Sequence, residues 1–202
     1  MNEVLDAILT WVEGIDPVLR ILVTGLAVML ETSILVGLIV PGDTIVLVSS
    51  TGVTTIITYL FTVLAAVLGA LVGESIGFSL GRLFGPRLRS SWLGRRVGEQ
   101  RWAKADRFVQ RRGGIAVFIS RFLPVFHSVI PLTAGTTAMR YRTFMIWTTP
   151  ACILWAFLYV SIGSGAAGTY RELQNTFSSA GWIFIAIVAV SILLVAVIKR
   201  VL

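Results

Sequence analysis

Residues Phe118–Gly135 read FISRFLPVFHSVIPLTAG. The stretch is apolar almost throughout, yet it carries Arg121, Pro124, Pro131 and His127, the only histidine of the chain. An ionised side chain in an apolar membrane segment is costly and marks a functional position by default. Proline removes a helix N–H and clashes with the preceding turn, so two prolines predict a break in this segment. Broken backbone at membrane depth is tolerated only where protein buries it or a cavity solvates it.

The rest of the chain agrees with a membrane setting. Of its 202 residues 56% are hydrophobic and 13% charged, whereas soluble domains carry about 25% charged residues. The first 18 residues hold Glu3, Asp6, Glu13 and Asp16 and only then Arg20 follows, the reverse of a basic signal n-region. Insertion is expected to rely on the first apolar segment. The single Cys152 excludes an internal disulfide and a multi-cysteine metal site. No Walker A loop, His-rich tract or paired-carboxylate metal pattern is present. The expectation is therefore a protein without metal or cofactor, and not an enzyme. A lipid phosphatase would need several Arg, His and Asp groups with a nucleophilic histidine, and one histidine supports that reading thinly.

Charge sets the expected topology. Between Arg82 and Arg112 ten Arg and Lys residues face only Glu99 and Asp106. Such a segment suits the cytoplasmic face and its anionic lipid better than nucleic acid. If 115–138 crossed the bilayer fully, Arg140, Arg142, Lys199 and Arg200 would all lie outside. If it dips in and returns, all four lie inside, as the positive-inside rule favours. The same reading makes 21–54 a hairpin entering from outside, although a full crossing by its first half remains open.

The resulting expectation is an all-α integral membrane protein forming a single domain. It has an interfacial helix at 2–18, re-entrant hairpin 1 at 21–54 and a span at 56–81. The basic segment 82–112 follows, helical from about Val97 to Gln110, and then re-entrant hairpin 2 at 115–138. Spans at 143–163 and 178–198 end the chain, separated by a polar turn at 171–175. Glu31 precedes Pro41 by ten residues, as Arg121 precedes Pro131. Two opposed hairpins of this kind would form an inverted repeat, and transporters bind substrate at such interfaces near the midplane.

The candidate site follows from the ionisable residues. Arg121 suits an anionic group, because guanidinium matches phosphate geometry and stays charged when buried. His127 is a second donor to phosphate or a pH-sensitive gate. Glu31 and Asp43 suit proton exchange, with Glu74 and Arg82 as supporting groups. The alternative is a structural Glu31–Arg121 ion pair. Gly69, Gly73, Gly77, Gly81 and Gly85 recur every four residues, which lines one helix face for close packing and also permits a homodimer. Trp11, Trp92, Trp102 and Trp182 are expected at the membrane interfaces.

These residues resemble the DedA family, whose domain is also called the VTT or SNARE-associated domain. The matching pieces are Glu31 with Pro41-Gly42-Asp43, then GESIGFSLGRLFG over Gly73–Gly85, then FISRFLPVFHSVIPLTAGTTAM leading to Phe144, Trp155 and Gly163. The resemblance covers most of residues 28–168. It implies two opposed re-entrant hairpins and proton-dependent recycling of polyprenyl phosphates, such as undecaprenyl phosphate, across a bacterial inner membrane. Some relatives scramble phospholipids. It also implies that Glu31 and Asp43 match the family's essential acids and Arg121 its first essential arginine. His127 stands where many members have a second arginine, Glu74 where Asp or Asn is common, and Phe78 where Tyr is common. A proton-coupled small-ion antiporter and a membrane scaffold remain rival functions.

Overall fold

A computed structural model describes residues 10–12, 14–33, 42–123 and 126–176, with backbone alone for 86, 88–89, 93–94 and 169–176. The expected span 178–198, most of the interfacial helix 2–18, Trp182 and the proline breaks at Pro41 and Pro124 lie outside these residues. All regular elements described are helices. They are α1 (Pro17–Ser33), α2 (Gly42–Thr51), α3 (Ile56–Ser90), α4 (Trp92–Val97), α5 (Glu99–Arg112), α6 (Gly114–Ser120), α7 (Phe126–Thr136) and α8 (Tyr141–Thr176).

Local chemistry starts these helices. The Asp16 carboxylate accepts the backbone N–H groups of Val18 and Leu19 at 2.9 and 3.1 Å, and Pro17 fills the first helical position. Both are N-terminal signals, because the first turn's N–H groups have no helical partner. Thr55 and Thr58 cap α3 reciprocally, each hydroxyl accepting the other's backbone N–H at 3.2 Å. Gly98 and Gly113 take positive φ values of 85° and 54° and bracket α5, a conformation that glycine adopts without strain.

α3 and α8 contain stretches long and apolar enough to cross a bilayer, Ile56–Gly85 and Tyr141–Gly168. Only 39% and 33% of their apolar windows are buried, whereas a soluble core helix would be mostly covered. Leu60, Phe61, Leu64, Leu68 and Val72 of α3 are exposed, as are Ile146, Leu154, Phe157 and Leu158 of α8. α1 adds Leu19, Leu22, Val23 and Leu26. An apolar surface this extensive is a lipid surface. With about 20 residues needed to span the hydrocarbon, α2, α6 and α7 are too short to cross, at 10, 7 and 11 residues.

α3 is the central post. It packs along α1, α7 and α8, while α8 also contacts α2 and α6, and α5 covers α7. The glycine stripe makes this possible. A β-carbon at Gly69 would strike the Gly25 backbone, and one at Gly73 would strike Met29 O and Thr32. At Gly81 it would strike the Leu132 backbone, and at Gly85 the Thr136 side chain. One half of the stripe thus seats α1 and the other seats α7. The stripe is occupied within the chain and offers no free face for a second copy.

Several expectations change. The basic segment is helical nearly throughout, as α3 runs on to Ser90 and α4 and α5 follow. Pro131 lies inside α7, so it does not mark the break; the chain turns at Arg121–Leu123 instead. The ten-residue spacing from Arg121 to Pro131 therefore does not mark a break in the chain. The polar residues 171–175 continue α8 to Thr176, because Arg, Glu, Leu and Gln are good helix formers and no Gly or Pro intervenes. Trp102 is not an interfacial anchor. It is buried with Val97, Ala105, Val109 and Phe144, whereas Trp11 and Trp92 are exposed.

Two apolar cores stack along the molecule. One gathers Phe78, Val109, Val117, Ile130 and Phe144; the other gathers Val28, Val46, Ala70, Cys152 and Trp155. On α3, Glu74 falls between Ala70 of one core and Phe78 of the other. On α8, Thr148 falls between Phe144 and Cys152. The polar layer lies at this boundary, well inside both apolar spans.

Candidate functional site

Four helix ends meet at the boundary between the cores. Glu31 lies in the last turn of α1 and is buried. Its carboxyl rests on the first turn of α2, where a β-carbon at Gly42 would collide with Glu31 Oε2. Gly42 therefore lets the acid approach the positive end of a helix dipole. Asp43 belongs to the same first turn. From the other side, Ser128 in the first turn of α7 donates its hydroxyl to the Glu31 carbonyl at 3.3 Å. This bond ties the end of α1 to the start of α7.

Arg121 directly follows α6 and is 3% exposed. The guanidinium lies over the Trp155 ring, with Cζ 3.8 Å from the centroid. Its Nη1 is 3.5 Å from Glu74 Oε1, an ion pair without hydrogen-bond contact. Nε, Nη1 and Nη2 all lack a hydrogen-bond acceptor among the described residues. Three buried, unpaired donors on one arginine are costly unless something else accepts them.

The remaining groups surround this fork. His127 Nε2 lies 3.8 Å from Glu31 Oε1, and Nδ1 lies 3.4 Å from Leu123 O. Glu31 Oε2, Asp43 Oδ1 and His127 Nε2 are buried without hydrogen bonds among the described residues. Glu74 is held by α8: Thr148 donates to Oε2, and Cys152 Sγ lies 3.6 Å from Oε1. Three carboxyls thus share one permanent cation. Full ionisation would leave negative charge uncompensated away from water, at a cost of several kcal/mol per ion.

The structure therefore brings together Glu31, Asp43, Glu74, Arg121 and His127 from five segments. The Glu31–Arg121 bridge expected as an alternative is not the pairing found: Arg121 pairs with Glu74, and Glu31 stands beside His127. Arg82 does not join. It is exposed, donates to the Met139 carbonyl and lies over the Phe78 ring at 5.3 Å. Two turns of helix, about 12 Å, separate it from Glu74. Sequence reasoning passed over Thr148, Cys152 and Trp155 as site residues. Their spacing of four and then three along α8 was the available signal, since it places them on one helix face.

This fold and site define a multi-helix membrane protein with charged groups enclosed between apolar cores. The family model for the VTT domain matches residues 32–165. The chain belongs to this family, the DedA family of membrane proteins. It is 29% identical over 112 residues to Protein DedA of Escherichia coli K12, covering 55% of this chain and 49% of that one. It is 28% identical over 96 residues to undecaprenyl phosphate transporter A of Bacillus subtilis 168, covering 48% of each. An alkaline phosphatase-like protein of Lactococcus lactis subsp. cremoris MG1363 is 29% identical over 110 residues, with 54% and 51% covered. The chain spans about half the length of these curated relatives. No solved structure matches it significantly. Among the described residues no group of three His, Cys, Asp or Glu side chains is arranged to hold a metal.

Proposed function

We propose that this protein moves a lipid with a phosphate headgroup across a bacterial cytoplasmic membrane, with polyprenyl phosphate such as undecaprenyl phosphate as substrate, driven by protons. The observation that carries this reading is Arg121, whose three guanidinium nitrogens are buried with no hydrogen bond among the described residues. Trp155 fixes one face of the fork and leaves the in-plane donors free for two oxygens of a phosphate. His127 stands beside it as a further donor. Glu31 and Asp43 exchange protons as access alternates. The α1–α2 and α6–α7 units act as opposed re-entrant hairpins, a reading supported by the short lengths of α2, α6 and α7 and by the charge pattern. The basic segment and the C-terminus face the cytoplasm. The name of the Bacillus relative agrees with this substrate. The lipid tail stays in the bilayer, so only the headgroup needs a path through protein.

The test is transbilayer movement of a short polyprenyl phosphate in proteoliposomes, with and without a pH gradient. Movement that requires the protein, accelerates with the gradient and disappears in Arg121→Ala is expected. Full movement in Arg121→Ala overturns the site assignment. Proton flux driven by small cations without lipid would instead support an antiporter, and phosphate release from the lipid would support a phosphatase. Faster movement of ordinary phospholipid would make the protein a scramblase.

A further inference from the structure

We propose that Glu74 is the resident counter-ion of Arg121, and that an incoming oxyanion displaces it as Glu74 takes up one proton. This rests on the headgroup site proposed above and adds a third acid, with a separate task, to Glu31 and Asp43.

The geometry of α8 carries the argument. Thr148 occupies one carboxyl oxygen of Glu74, and Cys152 faces the other. Held from α8, the carboxyl stops 3.5 Å from Arg121 Nη1 and makes no hydrogen bond to it. Trp155, one turn further along α8, holds the face of the same guanidinium. One helix therefore positions both members of the pair slightly apart. Such a pair balances charge without consuming the donors of the arginine. A tetrahedral oxyanion seated on those donors would stand next to Glu74. Two adjacent anions sharing one cation in a buried site repel strongly. Protonating Glu74 removes the conflict, and Thr148 and Cys152 remain to hold the neutral acid. The proton comes from the aqueous face open when the headgroup enters and leaves when the anion does.

Other groups face this pair. Cys152 and Tyr159 belong to α8; Glu31, Asp43 and His127 approach Arg121 from α1, α2 and α7. The experiment must separate their contributions. Full-length protein in nanodiscs is titrated with citronellyl sulfate and, in parallel, with inorganic sulfate. Sulfate keeps its charge across the pH range, whereas a phosphate monoester titrates near about pH 6. Wild-type affinity for the tailed sulfate is expected to fall about tenfold per pH unit on the alkaline side. Glu74→Gln is expected to hold the acid-pH affinity at every pH, while Glu31→Gln and Asp43→Asn keep the wild-type slope. A slope that survives in Glu74→Gln, or vanishes in Glu31→Gln instead, overturns the proposal.

Proton uptake on adding the tailed sulfate to wild type in weak buffer needs no variant. One proton per anion is expected, and none overturns the proposal even if Glu74→Gln fails to fold. If wild type binds neither sulfate at any pH, the headgroup site itself falls, and this inference with it. Binding of both probes with the same slope supports the coupling with a free oxyanion as ligand; binding of the tailed probe alone supports it with a lipid headgroup.

Discussion

The two helix pairs, α1–α2 and α6–α7, differ in the sign of charge they bring. The first carries Glu31 and Asp43, and the second carries Arg121 and His127. The first rests its acid on a helix N-terminus, where backbone dipoles favour negative charge. The second carries its cation at the C-cap of α6, yet the guanidinium makes no hydrogen bond to a backbone carbonyl among the described residues. Its guanidinium leans instead on Trp155 and Glu74, supplied by α8 and α3. The acidic unit is locally stabilised, whereas the basic unit depends on its neighbours.

Breaking the basic unit has the largest expected effect. Two charge-assisted hydrogen bonds to a headgroup are worth about 1.5–3 kcal/mol each, so Arg121→Ala is expected to lower headgroup affinity about a hundredfold or more. Equilibrium binding of the sulfate probes measures this. Arg121→Lys should recover only a minor part, since an ammonium cannot present a planar fork.

The seating of the two units on α3 comes next. Gly81→Ala drives a methyl group into the Leu132 backbone, which cannot move without shifting α7. Overpacking of this kind costs about 1–3 kcal/mol, and a clearly lower unfolding midpoint is expected. Gly85→Ala meets only the end of the Thr136 side chain, and its midpoint should stay close to wild type. Equal shifts in the two variants would refute the reading of the stripe as a backbone seat.

Trp155→Leu removes the ring under Arg121. A desolvated cation–π contact is worth about 2 kcal/mol, so headgroup affinity should fall roughly 10- to 30-fold while Arg121 remains present. Trp155→Phe should fall between Leu and wild type. The smallest effect is expected for Ser128→Ala, which loses one hydroxyl bond between α7 and the end of α1. A net cost of about 1 kcal/mol should appear as a modest drop in thermal stability with headgroup affinity preserved.

Much of this was legible in the chain. Low charge and long apolar runs determined a helical membrane protein, because a bilayer admits backbone only when its hydrogen bonds are met internally. The capping residues Asp16 and Thr55 and the positive-φ glycines Gly98 and Gly113 act locally at helix boundaries, signals that the sequence reading passed over. The four-residue glycine period announced a packing face, and the intramembrane Glu31, Asp43, Glu74, Arg121 and His127 announced a site by their cost.

The sequence could not determine which acid meets which cation. A Glu31–Arg121 ion pair was the alternative to a functional site, yet Arg121 stands beside Glu74 instead. The pairing Arg121–Glu74 is decided by how α6, α3 and α8 pack. Trp102 was expected at a membrane interface, as tryptophans commonly are, but packing of α5 turned it into the core. Thr148, Cys152 and Trp155 gained a role only once α8 lay beside α3. Local signals rest on residues one turn apart, whereas a buried ion cluster depends on contacts between segments far apart in the chain, and those exist only after the helices have packed.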